Sequence, residues 1–429
     1  MKSNTPFTPQ ALVQLKAQFS SPLWVYDADT IVQKIQALKS FDTIRFAQKA
    51  NSNTHLLRLM KSHGVKVDAV SLGEIERAIA AGFEVNEHTP DSIVFTADLL
   101  DHATLERVTS LGIAVNCGSI DMLDQIAAVK KGHPVWLRIN PGFGHGHSNK
   151  TNTGGEHSKH GIWHSQLPLA LEKIKTLGLD LVGLHMHIGS GVDYSHLQEV
   201  CGAMVKLAVQ VKSSGLDLHA ISAGGGLSIP YQEGQDTIDT EHYFQLWNTA
   251  RHQVSELLGH PIELEIEPGR YLVAEAGVLL SEVRASKNQG QQHFVMVDAG
   301  FSDLVRPSMY GSHHDITVLP INTAGQLEDS FASFSAPVAT PVATVVAGPL
   351  CESGDVFTQG EGGVVLTREL AAAKVGDLVV FHDAGAYGAS MSSNYNTRPL
   401  IAEVLIENGQ ARLIRRKQTV AELIALEQV

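Results

Sequence analysis

Eight short apolar runs, spaced by amphipathic stretches, fill the chain from about residue 26 to about residue 275, and no other feature limits its folding as strongly. The runs are IRFAQK (44–49), KVDAVS (66–71), SIVFTA (92–97), IAVNCGS (113–119), PVWLRINP (134–141), LVGLHMHIG (181–189), HAISAGGG (219–226) and ELEIEPGR (263–270). Between them, HLLRLMKSHG is apolar at 56, 57, 59 and 60 and stops at Gly64. LGEIERAIAAGF sets Ile75, Ala78 and Ile79 on one face and ends at Gly82. A 3.6-residue period closed by glycine is a helix signature. Eight strands alternating with helices predict an α/β fold, a (β/α)8 TIM barrel. An open doubly wound sheet shares the alternation but usually has fewer strands. The helix-like segment ADTIVQKIQALKSF precedes the first strand, so the barrel is expected to begin on a helix.

Past about residue 275 the texture changes. GVLLSEVRASK, HFVMVDAG, ATVVAGPL, DLVVFHDA, LIAEVLIENG and QARLIRRK are short strand-like runs separated by Gly, Asp, Asn and Pro. They predict a second, antiparallel β domain. The expected division is a barrel over residues 26–275 and a β domain over 276–429 joined by the N-terminal 1–25. Residues 322–341 read as a polar loop, and helical periodicity returns only in TVAELIALEQV at the C-terminus.

Charge narrows the partners. The formal net charge is −13, whereas nucleic acids and anionic membranes select basic surfaces. No apolar run reaches the length of a membrane span. The opening MKSNTPFTPQ lacks the apolar core of a signal peptide. The three cysteines, Cys117, Cys201 and Cys351, are widely spaced with no CxxC pair. An odd, low count suggests a reducing compartment, and a cytoplasmic location is expected.

In a barrel of this type, chemistry gathers at the C-terminal strand ends. The predicted strands end on an amine (Lys49), carboxylates (Asp68, Glu267), an imidazole pair (His185, His187), three glycines (Gly224, Gly225, Gly226) and a Gly-Arg step (Gly269, Arg270). SAGGGLSIP offers backbone N–H groups free of side chains, which suits a phosphate. With EPGR and HIGS (187–190) it places three such ends on strands 6, 7 and 8. His185 and His187 lie two apart on one strand face. A metal would need a third ligand; His145 and His147 are candidates, but Asp or Glu at matching spacing is absent, and no metal is expected. Each residue also has an ordinary reading. A strand-end lysine is usually a surface charge, Glu267 and Arg270 can form a structural ion pair, a lone Cys351 is most often an inert thiol, and Arg306 and Tyr310 can form a polar rim. Their convergence on one rim argues for function.

The ordered motifs FAQKANSN, VDAVSLGEIERA, RINPGFGHGH, TGGEHSKHGI, HMHIGSG, AGGGLSIPY, EIEPGRYLV, VDAGFSDLVRPSMYG, GPLCESGDVF and HDAGAYGASMSSNYNTRP span nearly the whole chain. Together they resemble the diaminopimelate decarboxylases, a branch of the alanine-racemase-like pyridoxal-phosphate enzymes. CESGD together with GAYGASMSSNYN is the most specific pair and favours this branch over the ornithine and arginine decarboxylases. The resemblance implies that Lys49 holds pyridoxal 5'-phosphate covalently, with Asp68 as its acidic neighbour and His187 stacked on the cofactor ring. It implies phosphate contacts from Ser190, Gly224, Gly225, Gly226, Gly269 and Arg270, and a carboxylate, Glu267, facing the pyridine nitrogen. Arg270, Arg306 and Tyr310 match substrate contacts, and Tyr387 matches a residue touching cofactor and substrate. Cys351, the implied proton donor, and Glu352 match a pair supplied by the partner in a homodimer with shared active sites. The implied reaction converts meso-diaminopimelate to L-lysine and CO2.

The residue types suit that chemistry. Loss of CO2 leaves an electron pair that the cofactor accepts while its ring nitrogen stays protonated, and a carboxylate opposite that nitrogen favours the proton. An amine must be partly neutral to attach the cofactor, and burial helps it lose its proton. A thiol can return a proton. At the far end of the substrate, Arg306 can pair with a carboxylate and Glu352 with an ammonium. The rivals are an ornithine- or arginine-type decarboxylase, a racemase, or a non-catalytic pyridoxal-phosphate-binding protein. The last would be expected to lose Lys49, Cys351 or Glu352, and all three are present.

Overall fold

The computed structural model describes residues 5–86, 89–144, 154–187, 189, 194–235, 237–331, 333–335, 338 and 340–429. They fall into two compact units, Gln33–Ser228 with Thr237–Tyr271, and Met1–Val32 with Ile229–Asp236 and Leu272–Val429.

The first unit is a closed parallel barrel. Its strands are β1 (Thr43–Ala47), β2 (Lys66–Ala69), β3 (Ile93–Ala97), β4 (Ala114–Cys117), β5 (Pro134–Asn140), β6 (Asp180–His185), β7 (Ala220–Ser222) and β8 (Glu263–Ile266). Each pairs in parallel with the next. The ring closes where Glu265 of β8 lies opposite Thr43 of β1. All eight runs seen in the sequence are strands, and most stop before the polar residues that follow. A helix, Ala28–Gln36, does precede β1.

Strand alternation separates two faces. Phe46, Val67, Phe95, Val115, Leu137, Leu184, Ile221 and Leu264 are buried on one. The other carries Arg45, Asp68, Thr96, Asn116, Arg138, Ser222 and Glu265, all buried although polar. Between the polar levels Val94, Ala114, Trp136 and Ala220 form an apolar plug. The helices cover the barrel with apolar stripes. Thr54–Ser62, whose first turn is capped by the Asn53 side chain, buries Leu56, Leu57, Leu59 and Met60. Thr240–Leu258, capped by Asp239, buries Tyr243, Trp247, Ala250 and Val254.

The second unit is built on a nine-stranded sheet. Its long strand Gly277–Gln289 pairs antiparallel with Leu23–Asp27, with Leu378–Phe381 and, beyond a hairpin, with Gln292–Val297. The sheet is mostly antiparallel, as expected, but two pairings are parallel: Leu23–Asp27 with Ala402–Glu407, and Gln292–Val297 with Pro341–Ala347. These join segments distant in sequence, which hairpin patterns do not reveal. Leu12, Leu23, Val25, Val278, Leu280, Leu378, Val380 and Val404 form the core of this unit. Among the described residues no helix is long and apolar enough to cross a membrane.

Candidate active site

β1 runs into a single 3-10 turn, Gln48–Ala50, so Lys49 stands past the strand rather than on it, and it is exposed. Two bonds fix the turn. Ala47 N–H donates to the Pro268 carbonyl at 3.2 Å, and Gln48 Nε2 donates to the Glu74 carbonyl at 3.1 Å. The exposure departs from the buried amine that sequence reasoning favoured.

Around it, the barrel collects buried charge. Asp68 lies opposite Ala47 in register. Glu267 follows β8, and its N–H donates to the Gly224 carbonyl at 2.8 Å. His185 Nε2 lies 2.7 Å from Glu267 Oε2, and Ser222 Oγ donates to Glu267 Oε1 at 3.2 Å. Burial pushes the Asp68 carboxyl well above its usual range; the nearby Glu267 charge adds to this and the Lys49 ammonium opposes it. For Glu267, burial again opposes ionisation, but His185, foremost, and the Arg45 charge outweigh it and hold the carboxyl down at about 2. Of the two coupled carboxyls, Glu267 carries the charge and Asp68 the proton.

His187, half-buried just past β6, is pushed well below the ordinary imidazole range by burial and then by the charges of Arg138 and Lys49. It is therefore a neutral ring at pH 7. Arg138 is a buried cation of this level, acted on by the charges of Asp98 and Glu267.

The three glycines are required by close approach. Gly224 and Gly226 take φ of +61° and +102°. A Cβ would stand 2.3 Å from the Met186 carbonyl oxygen at Gly224, 2.5 Å from that of Glu267 at Gly225, and 2.3 Å from that of Gly189 at Gly226. Bare backbone thus lies between the ends of β6 and β8. Ser222 Oγ accepts from Gly224 N–H at 3.1 Å, linking this turn to the Glu267 carboxylate. Arg270 opens the helical turn Arg270–Val273 next to Gly269. Ser190 lies outside the described residues, as do His145 and His147.

This donor set fits pyridoxal phosphate. Asp68 Oδ1, His185 Nδ1 and Gln48 Oε1 are buried without a hydrogen-bond partner among the described residues. Polar atoms in that state point to a polar ligand. An amine, an ionised carboxylate, a neutral imidazole and a side-chain-free turn supply partners for an aldehyde, a protonated ring nitrogen, a ring face and a phosphate.

The remaining candidates belong to the second unit. Cys351 and Glu352 are both exposed on a tight turn. Asp355 holds that turn, accepting from Leu350 N–H and Phe301 N–H, each at 2.7 Å. Cys351 N–H donates to Asn396 Oδ1 at 2.9 Å. Arg306, 5% exposed, opens the helical turn Arg306–Tyr310, and Tyr310 is half-buried. Tyr387 is a non-glycine residue at φ +56°. Gly388 follows it so closely against Trp24 that a Cβ would stand 2.5 Å from the indole.

Sequence reasoning missed several supports. It weighed His185 only as a metal ligand, whereas the ring is committed to Glu267. Among the described residues no group of three or more His, Cys, Asp or Glu is arranged to hold a metal ion. Ser222 and Arg138 were also missed; their signal is a polar residue on the same strand face as Asp68. Asn140 and Asp98 brace the two ends of the 141–161 connection. Asn140 Nδ2 donates to the carbonyls of Gly155 (3.1 Å) and His160 (3.2 Å), and its Oδ1 accepts from Gly142 and Gly155 N–H, both at 3.0 Å. Asp98 pairs with His160 and accepts from Gly161 N–H at 3.1 Å.

Comparison with known proteins places these residues in context. Residues 28–274 match the family model for the pyridoxal-dependent decarboxylase, pyridoxal binding domain. The chain is 63% identical over 425 residues to the diaminopimelate decarboxylase of Escherichia coli (strain K12), covering 99% of this chain and 98% of the relative. A crystal structure of diaminopimelate decarboxylase superposes with a TM-score of 0.93 at 62% identity, over 100% of this chain and 99% of the other. The Helicobacter pylori diaminopimelate decarboxylase complexed with L-lysine gives a TM-score of 0.84 at 30% identity, over 97% and 98% of the two chains.

Proposed function

The chain belongs to the diaminopimelate decarboxylases, within the pyridoxal-dependent decarboxylase family, and from that premise we propose how its own residues carry the reaction. The enzyme decarboxylates meso-2,6-diaminopimelate to L-lysine and CO2, the last step of lysine biosynthesis, with pyridoxal phosphate as cofactor. When bound, the cofactor supplies an electron sink for the pair left on the α-carbon as CO2 departs.

Lys49 would hold the cofactor through its amine. The ionised Glu267 would keep a proton on the ring nitrogen, and His185 and Ser222 fix that carboxylate. Neutral His187 offers a flat, uncharged face. The Gly224–Gly226 turn, with Gly269, Arg270 and Ser190, would take the phosphate. Asp68, protonated and buried, would donate a hydrogen bond rather than add a second negative charge beside Glu267. At the substrate, Arg306 pairs with the distal carboxylate and Glu352 with the distal ammonium, while Arg270, Tyr310 and Tyr387 orient the rest. Cys351 returns a proton to the α-carbon.

Cys351 and Glu352 are exposed on a braced turn, which supports their presentation to a second copy of the chain. We therefore read the enzyme as a homodimer with shared active sites. All three cysteines are free thiols, which suits a cytoplasmic location. The observation that carries the residue assignment is the convergence of Lys49, Asp68, His187 and Glu267 at one end of the barrel. The test is reduction of the loaded enzyme with borohydride beside an assay of L-lysine and CO2 from meso-diaminopimelate. Wild type should retain trapped cofactor, and Lys49→Ala should lose both trapping and turnover. Trapped cofactor in Lys49→Ala would remove Lys49 from this role.

A further inference from the structure

Arg306 is contacted by a histidine, a serine and a tyrosine ring. Its Nη1 lies 2.9 Å from His314 Nε2, and Nη2 donates to Ser312 Oγ at 3.4 Å. Its guanidinium carbon stands 4.8 Å from the centroid of the Tyr231 ring. The Tyr231 and His314 rings meet edge to face, with centroids 5.5 Å apart and planes at 79°. Arg306 thus sits in a corner made by two rings that contact each other.

The bonding fixes the state of His314. A guanidinium only donates, so His314 Nε2 must offer a lone pair. The proton of the neutral ring then sits on Nδ1, which is 2.9 Å from the His382 carbonyl oxygen. His382 is anchored in turn, with its Nε2 3.0 Å from Thr317 Oγ1. His314 therefore uses one nitrogen to accept from Arg306 and the other to tie itself to the sheet strand Leu378–Phe381 and its continuation. A guanidinium is a rigid planar fork, so fixing it at Nη1 and Nη2 fixes the plane in which the whole fork lies. His314 and Ser312 thus set the direction of the fork.

We propose that His314 is a positioning and specificity residue, a neutral imidazole clamp that orients the Arg306 guanidinium to receive the distal carboxylate of the substrate. This rests on the assignment of Arg306 to that carboxylate and deepens it. The clamp acts on the carboxylate that stays through the reaction, since CO2 leaves the other α-carbon and L-lysine keeps the distal carboxylate.

The test compares His314→Leu, His314→Asn and His314→Gln with wild type in the pyridoxal-phosphate-loaded enzyme. Gln can accept from Arg306 through Oε1 and donate to the His382 carbonyl through Nε2. Leu can do neither, and Asn is too short to reach both. Leu and Asn should raise KM for meso-diaminopimelate about 10-fold or more, with a smaller fall in kcat. Gln should restore KM to within a few-fold of wild type, and inhibition by L-lysine, which keeps the distal carboxylate, should weaken with Leu and Asn and recover with Gln. Asn keeps the proposal open to refutation where Leu does not fold. An unchanged KM in Leu and Asn would overturn the proposal, as would a raised KM with unchanged inhibition by L-lysine. Arg306→Lys separates the two levels. If it leaves KM unchanged, the assignment of Arg306 falls and the clamp with it. If it raises KM while the His314 variants do not, only the clamp falls.

Discussion

His185 Nε2 lies 2.7 Å from Glu267 Oε2, inside the barrel where both side chains are buried. Burial alone would keep the Glu267 carboxyl protonated, and the imidazole is the foremost group that reverses this. Replacing His185 with Leu should therefore raise the Glu267 pKa from about 2 towards and beyond the ordinary carboxylate value. The acid limb of kcat/KM should move to higher pH, and kcat at neutral pH should fall by ~10-fold or more as one preorganised electrostatic contact is lost. A pH profile of the variant identical to wild type would show that the pair does not tune the carboxylate.

Cys351 should behave as a proton donor displayed on a rigid turn. Cys351→Ala should lower kcat by ~10²–10⁴ with a smaller effect on KM. The side chain is exposed, so urea unfolding should change by less than ~0.5 kcal/mol. Asn396→Ala removes the acceptor of the Cys351 N–H and should give a milder loss of kcat without change in cofactor loading. A wild-type kcat in Cys351→Ala would assign the returning proton to another group.

The barrel was legible because its outer strand face is apolar. Phe46, Val67, Phe95 and Leu264 repeat the signal that the alternating helices require. Strand ends were less legible, because polar continuations such as Gln48–Lys49 and His187 fold as turns although they extend the run. The chemistry of the site was legible only where a motif marks it, as at Lys49 and Gly224–Gly226. His185, Ser222 and Arg138 act through contacts made across the barrel, and no local pattern pairs His185 with a carboxylate 82 positions away. The brace of Cys351 by Asn396, 45 positions on, is hidden for the same reason. The N-terminal 1–25 was expected to join the second domain, but not the strand partners of Leu23–Asp27, which begin at Gly277 and Ala402.

Below the apolar plug, Arg45 and Glu265 form a buried two-pronged pair, Nε to Oε2 at 2.6 Å and Nη2 to Oε1 at 2.7 Å. Each strand contributes one charge, so the pair joins β8 to β1 where the barrel closes. Arg45→Met leaves a buried carboxylate without this partner and should destabilise the protein by ~3–5 kcal/mol in denaturant unfolding. Arg45→Met with Glu265→Leu removes both charges and should recover most of that loss. Equal destabilisation in the single and double variants would mean that packing, rather than the stranded charge, sets the cost.

His133, fully buried ahead of β5, gives the fold an acid-sensitive point. Its Nε2 lies 2.9 Å from the Ile113 carbonyl oxygen, and its Nδ1 has no partner among the described residues. Burial, helped by the charge of Lys130, pushes the imidazole down to about 4 against the opposing Ile113 bond. The unfolded chain has an ordinary histidine that takes up a proton near pH ~6.5. Between those values the unfolded state binds a proton that the folded state does not, so stability falls as pH falls. Above pH ~6.5 both states are neutral and the group contributes nothing; by pH ~4 the loss reaches ~1–3 kcal/mol. His133→Gln keeps a donor for the Ile113 carbonyl but does not titrate. Its unfolding free energy, measured from pH 7 to pH 4.5, should decline less steeply than that of wild type, while the carboxylates contribute equally to both. Parallel curves over that window would show that His133 is protonated in the folded state after all.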